Sequence, residues 1–298
     1  MTPDEIRGRF NTITVWQRGG ERAPHKPLLA IYAIARLLRG ERRMIPYAEI
    51  DRELGKLLME FGPRQQSYHP EYPFWRLQND GLWEVSPTEG LTARRSNTDA
   101  KKRELLEHNV HGGFLPEIYD RLAQDKQLAR EIVQDLLNAN FPESIHQDIL
   151  DAIGIEFAVE TRIVIARSPD FRDRILRAYE YSCAICGFDV RLGTVPVALE
   201  AAHIKWHQAG GPDEERNGLA LCTLPHKLFD RGVFTLSDQL EVIVSESAHG
   251  TKGFQEWVIA FHGQSIRPPQ RPSYRPDKFS IDWHVKEVFQ WPGRYGIK

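Results

Sequence analysis

Cysteine is scarce in this chain, with three among 298 residues. So small and odd a number excludes a disulfide scaffold and points to a reducing compartment, the cytoplasm. Long apolar runs are missing too. None approaches the ~20 residues that cross a bilayer, so no membrane partner is expected. The opening MTPDEIRGRF lacks the apolar stretch of a secretory signal. Basic excess is also absent: 39 Lys and Arg face 41 Asp and Glu, for a net charge of −2. That balance gives no global sign of a nucleic-acid partner, yet phosphate binding needs only one basic face. The local clusters RLLRGERR (36–43), ARR (93–95) and KKR (101–103) read as solvated helix faces. What is present, 41% hydrophobic and 27% charged residues, is the composition of a folded protein long enough for two domains.

The stretch PHKPLLAIYAIARLLRG predicts a helix. Pro27 suits its first turn, Leu28, Ile31, Ala35 and Leu38 recur on one side, and Gly40 is placed to end it. RMIPYAEI reads as a short strand and EIDRELGKLLMEFG as a helix. After a proline-rich loop, PFWRL and LWEV predict a β-hairpin turning at Asn79-Asp80-Gly81, with Phe74, Trp75, Leu77 and Trp83 as its packing residues. Residues 99 to 153 read as helical throughout. A β-like run over 155–165 follows, and the domain boundary is expected near residue 160, giving domains 1–160 and 161–298. RPPQRPSYRPD (267–277) reads as an extended connector to a last segment, IDWHVKEVF.

Two groups of residues carry metal chemistry. Cys183-x-x-Cys186 is half of a zinc ribbon, but Pro225 stands where the partner of Cys222 should be. Structural zinc is therefore not expected, and the cysteines read as small buried hydrophobes. The second group is His203, Asn217 and His226, spaced by 14 and 9. LEAAHI reads as a strand and LPHKLFDRG as the start of a helix, joined by a loop with Gly210-Gly211 and Asn217-Gly218.

Over about residues 180–240 this arrangement closely resembles the HNH nuclease motif, the ββα-metal fold. The resemblance implies that His203 is the general base, that Asn217 constrains the loop, and that His226 binds one divalent metal. Such chemistry suits these residue types. A neutral imidazole accepts a proton from water near pH 7, and a cation offsets charge growing on phosphoryl oxygens. Asp230, four residues after His226, shares its helix face and is expected as the second ligand. Ala202 departs from the pattern, since many HNH enzymes carry a ligand there. Glu200, three residues before the base, falls on the opposite strand face and reads as a weak substitute. Water and phosphate oxygens would complete the shell, which favours Mg2+ or Mn2+, with Co2+ or Ni2+ as further candidates.

The N-terminal half, through APHKPLLAIYAIARLL, SYHPEYPFWRL and GLWEV, resembles the sulfur-binding domain of McrA-type, modification-dependent (type IV) restriction endonucleases over about residues 10–90. That family implies a double-stranded DNA partner carrying phosphorothioate. Sulfur is larger, softer and less hydrated than oxygen, so an apolar cup can separate the two. Tyr72-Pro73 is the pair the resemblance singles out, with His69 and Pro70 beside it. His25 and Lys26 would hold phosphate charge, and Gln65, Gln66 and Ser67 would reach base edges. The expectation is thus a two-domain α+β protein, a mainly helical DNA reader with a hairpin before a ββα-metal nuclease, with a homodimer as the simplest way to cut both strands. A methylcytosine or hydroxymethylcytosine reader and a non-cleaving HNH fold are the alternatives.

Overall fold

A buried helix organises the N-terminal half. In this computed structural model, residues 1–13, 24–92, 99–155 and 169–294 are described. The chain divides into two compact units, Met1–Glu156 and Phe157–Lys298. The ARR cluster, nearly all of the β-like run over 155–165 and the boundary near residue 160 lie outside the described residues.

Helix α1 (Pro3–Asn11) starts from a capping box in which Thr2 and Glu5 satisfy each other's backbone. In α2 (His25–Leu38) every residue from Pro27 to Leu37 is buried, because α3 (Tyr47–Phe61), α4 (Glu71–Arg76), α6 (Pro116–Gln124) and α7 (Lys126–Asn140) pack around it. Gly40, at φ +75°, ends the turn that follows. Arg36 is buried rather than solvated, paired with Glu49 and Glu41, and Arg43 is held by Glu84 and the Phe114 carbonyl. Arg36 and Arg43 are thus held in internal ion pairs, which the reading of the cluster as a solvated face missed, while Arg39 and Arg42 are exposed. Helices α5 (Lys102–Glu107) and α8 (His146–Ile153) complete the helical set.

The expected β-hairpin does not form. PFWRL belongs to α4, which continues as a 3-10 turn over Leu77–Asp80 and closes at Gly81, φ +67°. Pro70 and Pro73 sit at the N-cap and in the first turn, where a missing N–H costs nothing. Phe74 and Leu77 are both buried, the i, i+3 spacing of a helix. The LWEV segment is a strand, β2 (Trp83–Ser86), but its partner is β3 (His111–Phe114), inside the region read as all helix. With β1 (Ile45–Pro46) these make an antiparallel sheet of order β1-β3-β2. Glycine is required at 112, where a Cβ would stand 2.6 Å from both Phe74 Cε2 and Trp83 Nε1.

The C-terminal unit is built on a hairpin and a helix. Strands β6 (Leu199–His203) and β7 (Gly218–Cys222) pair antiparallel, Leu199 opposite Cys222 and His203 opposite Gly218. Helix α10 (Thr223–Asp230) follows directly, so the ββα order expected from LEAAHI and LPHKLFDRG is present. Helix α9 (Pro169–Ala178) packs on the hairpin, and a Cβ at Gly218 would lie 2.1 Å from Ile175 Cδ1. Around this core stand the small pairs β4 (Arg191–Leu192) with β5 (Val195–Pro196) and β8 (Phe234–Leu236) with β9 (Val242–Val244). Helices α11 (Lys252–Trp257) and α12 (Lys278–Glu287) close the unit, the latter capped by Asp277. The architecture is α+β in two units. Among the described residues no helix is long and apolar enough to cross a membrane.

Candidate metal centre and DNA-facing residues

Asn217 sits where the loop re-enters the hairpin, fully buried. Its Oδ1 accepts from the Lys205 amide at 2.8 Å, and its Nδ2 donates to the carbonyls of Lys205 (3.0 Å) and Pro212 (2.9 Å). A side-chain amide that both gives and takes can staple two backbone segments. It therefore fixes the loop's exit just two residues beyond His203. Gly211 lies in the same fold of the loop, where a Cβ would meet the Lys205 carbonyl oxygen at 1.8 Å.

His203 ends β6 with its ring stacked on Phe171 of α9, centroids 4.0 Å apart and planes 11° apart. Its Nε2 lies 2.7 Å from Asp213 Oδ1. A carboxylate accepts, so Nε2 carries the proton and the lone pair is on Nδ1. Asp213 was read only as part of the loop. Its backbone carbonyl is held by Arg174 of α9, which also reaches Glu215. His207, exposed, places its Nδ1 3.6 Å from the same Asp213 oxygen, and the three groups lie within 4.8 Å of one another.

His226, on α10, is nearly buried and is flanked by carboxylates on both nitrogens. Nε2 lies 3.2 Å from Asp230 Oδ2, and Nδ1 lies 2.5 Å from Glu200 Oε2. Asp230 in turn accepts from the buried Trp206 indole at 3.1 Å. Burial alone would push the His226 imidazole down, but the Asp230 and Glu200 carboxylates outweigh it and bring it up to about 9. The sequence reading kept Glu200 only as a weak substitute ligand, because it faces away from His203. The structure shows that the face away from His203 is the one that meets α10.

The two carboxylates lie on opposite nitrogens of the ring, so the imidazole with either one is a nitrogen–oxygen donor pair that fits a hard or borderline divalent cation. Cys183 is buried in the core with Cys186 and Cys222 partly buried against it, and the three also come together. Cys222 stands at the N-cap position of α10, its Sγ lies 3.6 Å from that of Cys186, and all three sulfurs lie within 4.8 Å of one another. Hydrogen bonding from Cys186, then Cys222, holds the Cys183 thiol well below its usual range. No fourth His, Cys, Asp or Glu joins this group among the described residues, so it lacks the closed four-ligand set of a structural zinc site.

In the N-terminal unit Gln65, Gln66 and Ser67 are exposed on the loop between α3 and α4. Ser67 Oγ contacts His69 Nε2 at 2.9 Å, and His69 Nδ1 lies 2.8 Å from the buried Glu71. Tyr72 is exposed, stacks on His69 at 4.8 Å, and carries the Arg76 guanidinium 4.9 Å from its ring centre. Pro70 and Pro73 are buried beside it. His25 and Lys26 begin α2, half-buried. Lys26 is tied to Asp80 at 2.6 Å, so the fold already engages its charge.

No relative among curated proteins matches the chain. The solved structures it is similar to include the sulfur binding domain and SRA domain of ScoMcrA complexed with phosphorothioated DNA, at 22% identity and TM-score 0.45, covering 50% of this chain and 46% of that one. The sulfur binding domain of SprMcrA complexed with phosphorothioated DNA gives 22% identity and 0.44, covering 52% and 94%. The modification-dependent TagI restriction endonuclease gives 26% and 0.29, covering 40% and 37%. The chain thus spans under half the length of the first of these. The family model for the HNH endonuclease matches residues 183–237, around the His203, Asn217 and His226 cluster. The model for the ScoMcrA-like DNA sulfur-binding domain matches residues 3–158, more than half of the sequence. The chain therefore belongs to the ScoMcrA-like DNA sulfur-binding domain family and carries an HNH endonuclease domain behind that reader.

Proposed function

We propose that this protein is a modification-dependent restriction endonuclease. Its N-terminal unit binds double-stranded DNA containing phosphorothioate, and its HNH unit hydrolyses phosphodiester bonds nearby with a single divalent cation. The observation that carries the reading is the pairing of a sulfur-binding family match with a second unit whose strand, loop and helix hold His203, Asn217 and His226 in the ββα order. A homodimer is the simplest assembly for cutting both strands, and the cytoplasm, which contains the DNA, is the expected location.

His203 accepts a proton at Nδ1 from the attacking water, while Asp213 keeps Nε2 protonated and steadies the imidazolium that forms. Phe171 fixes the ring plane from behind. Asn217 holds the loop that follows His203, so Asp213 stays in reach. His226 holds the divalent cation, which when bound supplies Lewis-acid stabilisation of the phosphoryl and leaving 3′ oxygens. In the reader, Tyr72 offers the exposed aromatic face and Gln65, Gln66 and Ser67 the polar reach.

Mobility shifts on duplexes of one sequence, with and without a phosphorothioate, test the reader. The expected result is preferential binding of the modified duplex, reduced by Tyr72→Ala far more than binding of the plain one. Equal affinity for both duplexes, or a preference for a methylcytosine duplex, would refute it. Nicking in Mg2+, Mn2+, Co2+ or Ni2+ tests the nuclease, and His203→Ala should abolish it. A wild type inert in all four would make the protein a DNA-binding module.

A further inference from the structure

The two nitrogens of His226 face two different carboxylates, and one imidazole can give a cation only one of them. Exposure separates the two sides. The Asp230 side chain is 2% exposed and engaged by the Trp206 indole, whereas the Glu200 side chain is 41% exposed. An ion that acts on a DNA phosphate must be reachable by a phosphodiester and must keep open positions for water. The Asp230 side is closed to such a group and the Glu200 side is open.

Strand geometry points the same way. Successive residues of β6 alternate faces, so Glu200 and Ala202 share one face and His203 takes the other. Ala202, whose side chain cannot ligate, is thus two residues along from a carboxylate that already touches His226.

We propose that Glu200 and His226 Nδ1 are the protein ligands of the cation, and that Asp230 is a positioning residue that keeps the proton on Nε2. A carboxylate on the far nitrogen orients an imidazole and makes its ligating nitrogen more basic. Trp206, packed 5.9 Å from Trp283, holds that carboxylate in turn. This assignment rests on the reading of the HNH unit as a cation-dependent nuclease, and replaces Asp230 by Glu200 in its ligand set.

The test is Mn2+ binding by the full-length protein without DNA, read by the loss of the free Mn2+ paramagnetic resonance signal. Mn2+ is chosen because a hard ion avoids the three-thiol group. Glu200→Gln is expected to weaken binding about 100-fold or more, close to the loss in His226→Ala, and Asp230→Asn about 10-fold. Metal-free unfolding midpoints check that each variant is folded. A larger loss in Asp230→Asn than in Glu200→Gln would put the ion on the Nε2 side and overturn the assignment. If Asp230→Asn does not fold, Glu200→Gln is judged against His226→Ala alone, and Mn2+ affinity near that of the wild type overturns it. Unchanged binding in His226→Ala would instead remove the ion from this cluster altogether, and the nuclease mechanism would fail before the Glu200 assignment was reached.

Discussion

Replacing Asn217 by alanine should loosen the loop between the HNH strands without unfolding the hairpin. The substitution removes one accepted and two donated hydrogen bonds, each worth about 1 kcal/mol net. It also leaves the amide and carbonyl of Lys205, itself 7% exposed, without those partners, at about 1–3 kcal/mol each if no water reaches them. With partial water access the local cost is about 3 kcal/mol, which at 1.4 kcal/mol per factor of ten is about 100-fold in the opening equilibrium. Hydrogen exchange reads this at one atom. The Lys205 amide should lose about 100-fold of its protection, with Ile204 and Gly211, whose amides bond within the same loop, falling beside it. Amides of the β6–β7 ladder should change far less. Asn217→Asp keeps the acceptor but aims a carboxylate at two carbonyls, so it should be no better than alanine. If cleavage disappears while Lys205 protection stays within about 5-fold, Asn217 acts on the DNA itself and the clamp is refuted.

Gly211→Ala and Gly218→Ala should both destabilise the HNH unit, the first more. A Cβ at 211 strikes the backbone carbonyl of Lys205, while one at 218 strikes the side chain of Ile175, which can turn; urea midpoints rank them. Asp213→Asn should leave Mn2+ binding within about 3-fold while lowering the cleavage rate about 10-fold or more, because it removes the charge that steadies His203 as it gains a proton. His207→Ala should be nearly silent in both assays, and a loss of Mn2+ binding in it would mean that His203, His207 and Asp213 hold the ion. In metal-free protein the His226 imidazole is raised to about 9 from 6.5. Its stabilising pairing is therefore complete below pH 6.5 and lost as pH rises through about 9, a change on the order of 3 kcal/mol. Urea midpoints taken in chelator should fall across that window, and in Asp230→Asn the fall should shrink.

The uneven legibility of this chain has a physical cause. The HNH core could be read because its residues act at fixed short spacings: LEAAHI alternates as a strand, PHKLFD turns as a helix, and the loop between them shows its glycines. Membership of α2 in a core was legible from an apolar run whose cation near its end, Arg36, finds Glu41 and Glu49 just beyond the helix and in α3. That pairing depends on how the chain turns between α2 and α3, so Arg36 looked solvated. The hairpin error has the same origin. PFWRL is too short for its period to decide between strand and helix, and the deciding fact is that β2 pairs with a Gly-Gly strand nearly thirty residues later, leaving Phe74 to pack from a helix. Glu200 shows how a correct local rule can leave a residue's partner unread. Alternation does place it opposite His203, and what the sequence could not supply was the partner of that face. Once α10 is seen to meet β6 on the side away from the base, the alternation that argued against Glu200 becomes the reason it reaches His226. On β6, residues at even offsets from 202 share the face that carries Glu200 toward α10, and those at even offsets from 203 share the other.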